Sequence, residues 1–251
     1  SAGIFAFPRG ARAGTLLHEI LEVSDFQEAD SRKREDLVQI KLQEHGFACY
    51  WKETICETLE KLIRTPLHLE IPGLRLSEIA RTDRVSELAF YYPLKSIDRE
   101  ILKRLFSAAR AHVPDGFPEW IGSLQFQPAK GFLKGFIDLL FCFRERFYLA
   151  DWKSNHLGNR IADYGQIALG EVMRDEFYIL QYLLYSVAVH QYLKRRIPDY
   201  DYDRHFGGVF YIFLRGVDPG YGPEYGIFHD RPDKALIALL TEGLIGGQDG
   251  R

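Results

Sequence analysis

A chain of 251 residues and 29.0 kDa has room for one large domain or two small ones. With 46% hydrophobic and 27% charged residues, 18 Phe, 14 Tyr and 3 Trp, it can build a sizeable core, which excludes a disordered, collagenous or disulfide-scaffold chain. A net charge of -3 excludes a surface coated in basic charge but leaves room for a local basic groove. No apolar run approaches the ~20 residues of a membrane span, and no signal peptide is visible.

The cysteines, Cys49, Cys56 and Cys142, are odd in number and form no CxxC pair. They are expected to be free thiols in a reducing cytoplasm. The chain starts at Ser1 with no Met, so it is read as an excised piece of a longer protein.

Residues 1–12 look irregular, with Pro8 and two glycines. From Gly14-Thr15 onward, Leu16, Leu17, Ile20 and Leu21 recur at helical spacing, with His18 among them. Leu37, Ile40 and Leu42, then Trp51, Ile55, Leu59 and Leu62, predict two further helices, the last stopped by Pro66. Residues 1–80 are therefore expected to be mainly helical. Val85–Leu94 predicts a strand, and Arg99–His112 a helix ending before Pro114. Residues 131–155 hold two β-rich runs around Arg144-Glu145-Arg146, a hairpin pattern. Helices are predicted over 161–173 and 176–196, a buried strand over Gly208–Leu214 and a closing helix over Lys234–Leu244. The expectation is a single α/β domain over 1–251, with a helical N-terminal layer and an α/β core over 81–251.

The hairpin is where chemistry would concentrate. Asp138 and Asp151 interrupt apolar strands, where an unpaired charge is costly. Their midpoint falls between residues 144 and 145. A turn centred there sets them across the ladder, with Cβ atoms about 4.5–5.5 Å apart. Lys153, two residues beyond Asp151, shares its face. Two carboxylates and an ammonium suit Mg²⁺ or Mn²⁺ bridging to a phosphate. From spacing alone, a surface hairpin with a cross-strand Asp–Lys pair fits equally well.

The segments GTLLHEI (14–20), ELAFYYPL (87–94), GFLKGFIDLLF (131–141), YLADWKSNHLG (148–158), LQYLLYSVAVHQYL (180–193) and DYDRHFGGVFYIFLRGVD (201–218) widen the comparison. In this order they resemble the PD-(D/E)xK nuclease superfamily, and more closely the nuclease domains at the C-terminus of the RecB subunit of bacterial RecBCD (exonuclease V). Ile137 stands where the superfamily name places Pro. The resemblance implies a restriction-endonuclease-like core, a mixed sheet flanked by helices, and Mg²⁺-dependent DNA hydrolysis. It implies metal ligation by His18, Asp138, Asp151 and the backbone carbonyl of Trp152, with Lys153 as the catalytic lysine. Gln181 and Tyr185 match a Q-x-x-x-Y element bordering the site, and Glu87 an acidic strand position. Implied partners are DNA, in single-stranded form, RecC- and RecD-type subunits and the recombinase RecA, in the bacterial cytoplasm. The class-level alternative is a docking module for RecC or RecA with little cleavage of its own, and a free-standing nuclease is a third.

Each residue also has a structural reading. His18 could be a core histidine, Gln181 and Tyr185 could pack a helix on the sheet, and Glu87 could be a solvated strand position. Asp199, Asp201 and Asp203 imitate a calcium loop, but Arg204 and Phe210 stand where Gly and Glu are required. GYGPEYG at 220–226 lacks the Lys-Ser/Thr of a nucleotide loop, so no ATP site is expected. Three cysteines cannot hold the four-cysteine iron–sulfur cluster of some relatives. Arg32-Lys33-Arg34 and Lys194-Arg195-Arg196 could touch phosphates, though such runs are more often solvated faces.

Overall fold

The computed structural model describes residues 3–110, 113–123 and 129–245. Three helices come first: α1 (Ala11–Val23), α2 (Ser31–Glu44) and α3 (Lys52–Arg64). Asp30 caps α2 by accepting the Arg32 N–H, and α3 stops at Thr65, ahead of Pro66. Strand β1 (Arg84–Ile97) leads into α4 (Arg99–Ala108) and α5 (Phe117–Ser123). The hairpin β2 (Ala129–Phe143) and β3 (Arg146–Lys153) follows, then α6 (Gln166–Asp175) and α7 (Tyr178–Arg196). A short α8 (Tyr202–His205), β4 (Phe206–Phe213), β5 (Ile227–Asp230) and α9 (Lys234–Leu244) complete the order.

The strands form one mixed five-stranded sheet in the order β1-β2-β3-β4-β5, so the fold is of the expected α/β class. Strand β3 is central, which explains why its last six residues are all buried. Strand β1 is an edge, and only an edge tolerates Pro93 without breaking a ladder. Among the described residues no helix is long and apolar enough to cross a membrane.

The chain divides into two compact units. The first comprises Ser1–Leu88, Ile137–Ile179 and Gly208–Asp230; the second, Ala89–Phe136, Leu180–Gly207 and Arg231–Arg251. In the first, Leu16, Leu17 and Ile20 of α1 and Ile55, Leu59 and Leu62 of α3 pack on Leu139, Phe141, Ala150, Trp152, Phe210 and Ile212. The alternation 148, 150, 152 on this cluster follows from the two-residue period of β3. In the second, the Tyr92 hydroxyl donates to the Ala188 carbonyl, and the Phe90 ring leaves no room for a side chain at Gly135.

The expected elements form, with differences at their edges. The predicted helix over 161–173 is split: a 3₁₀ turn over Ile161–Tyr164 precedes Gly165, and α6 starts at Gln166. Helix α4 stops at Ala108, and His112 lies outside the described residues. Strand β5 is four residues long beside a glycine-rich loop, too short to show a period. That loop uses its glycines structurally: Gly226 has φ 72°, and a Cβ there would strike the Gly216 backbone.

Arg215 ties the first unit together. It is 1% exposed and has no carboxylate partner among its hydrogen bonds. Its Nε donates to the Ser154 carbonyl at 3.2 Å, and its terminal nitrogens to Ile4, Phe7 and Pro8 carbonyls at 2.6, 3.0 and 2.7 Å. Arg215→Met strands four carbonyls and is expected to cost about 4 kcal/mol in urea unfolding; a loss under about 1 kcal/mol contradicts this account. The hairpin turn offers the opposite case. Arg144 and Glu145 have φ of 48° and 63°, the left-handed pair a two-residue turn needs, without the glycine or asparagine that favours it. Replacing them by Asn-Gly is expected to raise stability by about 1 kcal/mol with the register unchanged, as read by urea unfolding and amide chemical shifts.

Candidate active site

The hairpin register sets the site. Pairing runs from Phe143↔Arg146 to Leu139↔Ala150, which centres the turn between residues 144 and 145 as expected. Continued by one pair, it puts Asp138 opposite Asp151. There a side chain takes over from the ladder: the Trp152 N–H donates to Asp138 Oδ2 at 2.7 Å. The Trp152 ring turns to the other face and meets Phe26 edge-on at 6.5 Å. Asp151 and Lys153 share a face, with Lys153 Nζ 2.5 Å from Asp151 Oδ1.

Helix α1 supplies the third side. At Gly14 a Cβ would lie 3.0 Å from Ser154 Oγ, so glycine lets the helix come close to the end of β3. One turn later His18 Nδ1 is 3.5 Å from Asp138 Oδ2, and the Trp152 backbone also favours the protonated imidazole. His18, Asp138, Asp151, Lys153 and the Trp152 backbone therefore meet at one place.

The electrostatics reflect that crowding. Burial pushes the Asp151 carboxyl up to about 6; Lys153 opposes the shift and Asp138 adds to it. For His18, burial works to lower the pKa, but Asp138, Asp151 and the Trp152 backbone outweigh it and the net direction is up. Glu87 belongs to the same field. Burial, then the charges of Asp138 and Glu22, raise its carboxyl, with His18 opposing. Its φ of 51° marks a local distortion of β1.

Gln181 and Tyr185 lie on α7, in the second unit, where Gln181 Nε2 donates to the Tyr185 hydroxyl at 2.9 Å and Tyr185 meets Phe90 edge-on. Sequence reasoning missed Tyr178 and Tyr211. Lys153 Nζ lies 3.9 Å from the Tyr178 ring centre and 4.8 Å from that of Tyr211. The missed signal is spacing: Tyr178, Gln181 and Tyr185 follow i, i+3, i+7, a single helical row.

Other features singled out in the sequence have local roles. Asp201 caps α8, and Lys234 bridges Asp201 and Asp203 at 2.9 and 3.1 Å. Lys33 pairs with Glu28, Arg34 with Glu60, and Arg196 lies over the Tyr192 ring. Cys49, Cys56 and Cys142 are free thiols. Among the described residues, no group of three or more His, Cys, Asp or Glu is arranged as a ready metal site. His18 is engaged with Asp138, and Asp151 with Lys153.

The sheet, its flanking helices and the charged end of its central hairpin define an α/β fold of the nuclease-like class. No family model matches the chain. Among curated proteins it is similar to RecBCD enzyme subunit RecB of Escherichia coli, 40% identical over 245 residues, covering 96% of this chain and 20% of the relative. RecB of Haemophilus influenzae is 38% identical over 241 residues, covering 95% and 19%. RecB of Mycobacterium tuberculosis (strain H37Rv) is 32% identical over 271 residues, covering 97% and 24%. The resemblance to RecB read from the motifs thus holds across nearly the whole chain, which spans about a fifth of the length of the curated relatives it matches.

The carboxylate pair generates a direct expectation. With EDTA present, a carboxyl ¹³C titration should give Asp151 a midpoint near 6. Asp138→Asn removes a nearby negative charge, so that midpoint should fall. An unchanged midpoint would mean that the two groups do not share a field.

Proposed function

We propose that this chain is a divalent-metal-dependent DNA nuclease domain of a RecB-type subunit, hydrolysing phosphodiester bonds. The observation behind this reading is the convergence of His18, Asp138, Asp151, Lys153 and the Trp152 backbone at the end of the β2–β3 hairpin. Asp151 is buried and its carboxyl raised to about 6 even with the Lys153 ammonium 2.5 Å away, a cost that suits a site for chemistry better than a site for stability.

The donor chemistry fits Mg²⁺, with Mn²⁺ as a substitute: Asp138, Asp151, the Trp152 carbonyl and His18 would hold the ion. When bound, it would supply Lewis-acid polarisation of the phosphate and a lowered water pKa. Lys153 donates to a non-bridging phosphate oxygen as negative charge builds there. Asp151 holds the Lys153 ammonium in place. Water attacks phosphorus in line, and the bond to the 3′ oxygen breaks, leaving a 5′ phosphate and a 3′ hydroxyl. His18 steadies Asp138, and Glu87 adds a further carboxylate to the field.

DNA in single-stranded form is the proposed substrate. RecC- and RecD-type subunits and RecA are the proposed partners of the intact protein, in double-strand break repair and recombination. The RecC- and RecD-type partners extend to this chain the RecBCD name of its relatives, and the remainder follows from the motif resemblance.

The test is cleavage of linear single-stranded DNA with Mg²⁺, with EDTA as control and Asp151→Asn and Lys153→Gln as variants. The expected result is metal-dependent cutting that each variant lowers roughly 100-fold or more. A folded wild type that cuts neither with Mg²⁺ nor with Mn²⁺ overturns autonomous activity and favours the docking role.

A further inference from the structure

The ammonium of Lys153 is enclosed by more than Asp151. Tyr178 and Tyr211 present ring faces to it at 3.9 and 4.8 Å, and their ring centres are 5.7 Å apart. Tyr211 is fully buried in β4, and Tyr178 is fixed at its far end, where its hydroxyl donates to Asn155 Oδ1 at 3.2 Å. Tyr178 opens α7 directly after Phe177, whose φ of 61° turns the chain sharply out of α6. The backbone is bent at the one residue that aims this ring.

A ring face suits this task better than another carboxylate. It attracts the positive charge without neutralising it, and offers no oxygen to compete with a phosphate for the ammonium. Asp151 must divide its oxygens between Lys153 and whatever cation it serves. The rings are partners that such a cation does not draw away.

We infer that Tyr178, backed by Tyr211, is a positioning residue that cages the Lys153 ammonium and holds it toward the scissile phosphate. This rests on the nuclease reading, and it assigns Tyr178 an action through Lys153 rather than on substrate. Burial and the nearby acids Glu176 and Asp151 raise the Tyr178 phenol, although Asn155 opposes them, so it remains a neutral ring.

The test combines two readouts on the full chain. In single-turnover cleavage, Tyr178→Phe, which keeps the ring, is expected to stay within about 2-fold of wild type, whereas Tyr178→Leu lowers the rate about 10-fold with KM little changed. In a Lys153→Ala background, Tyr178→Leu should have no further effect, because the partner it positions is gone. Independently of cleavage, the Lys153 ε-methylene resonance, assigned by its loss in Lys153→Met, should lie upfield from ring currents. It should remain there in Tyr178→Phe and move downfield in Tyr178→Leu, where only the more distant of the two rings, Tyr211, is left. A resonance that Tyr178→Leu does not move overturns the cage. Equal losses of rate in the wild-type and Lys153→Ala backgrounds overturn the positioning role and leave only packing. A wild type that cuts no DNA overturns autonomous cleavage and the positioning role with it, while the resonance still decides the cage.

Discussion

The Asp138 carboxylate accepts the backbone N–H of Trp152, and the arrangement of the site depends on that hydrogen bond. It takes over where the β2–β3 ladder ends, so a side chain replaces a backbone acceptor at the end of the central strand. That substitution fixes the Asp138 oxygen beside the peptide between Asp151 and Trp152. His18, reaching in from α1, then meets the carboxylate of Asp138, the acceptor of this bond. A slip of one residue between β2 and β3 would send Asp151 into the aliphatic layer and Trp152 toward the charges. The register is held by burial on both faces of β3 more than by its turn, whose Arg144-Glu145 sequence is poorly suited to the conformation it adopts.

The chain keeps like charges close in a dry place. The Asp151 and Glu87 carboxyls are both raised with Asp138 close by, and His18 and Lys153 oppose the accumulated charge. A sequence selected for stability alone would place apolar residues here, as it does at Leu139 and Ala150 one step away.

Much of this was legible in the sequence because regular periods record it. The helical spacing of Leu16, Leu17 and Ile20, the symmetry of Asp138 and Asp151 about the turn, and the two-residue step to Lys153 each translate directly into geometry. What was not legible depends on contacts distant in sequence. The Tyr178 ring reaches Lys153 from 25 positions away, and its helical row with Gln181 and Tyr185 marks a face of α7 but not the lysine it meets. Arg215 follows a buried strand and reads as an ordinary loop cation until the Ile4, Phe7 and Pro8 carbonyls, more than 200 residues earlier, are in place. Strand β5 was missed because its four residues carry no period and its pairing with β4 is what defines it. The division into two units, each assembled from three chain segments, likewise has no compositional boundary to reveal it.

Arg215 has a consequence for how the chain tolerates trimming. Its guanidinium takes carbonyls from residues 4, 7 and 8 as a ligand set, and the same group steadies Ser154, the residue after Lys153. A stretch whose regular structure is a single 3₁₀ turn, Ile4–Ala6, thus acts as a solvation shell for a buried cation. A protease that removed the first eight residues would leave that charge facing a partly dry cavity. Damage would then reach the residue beside the lysine, although no part of the hairpin had been cut.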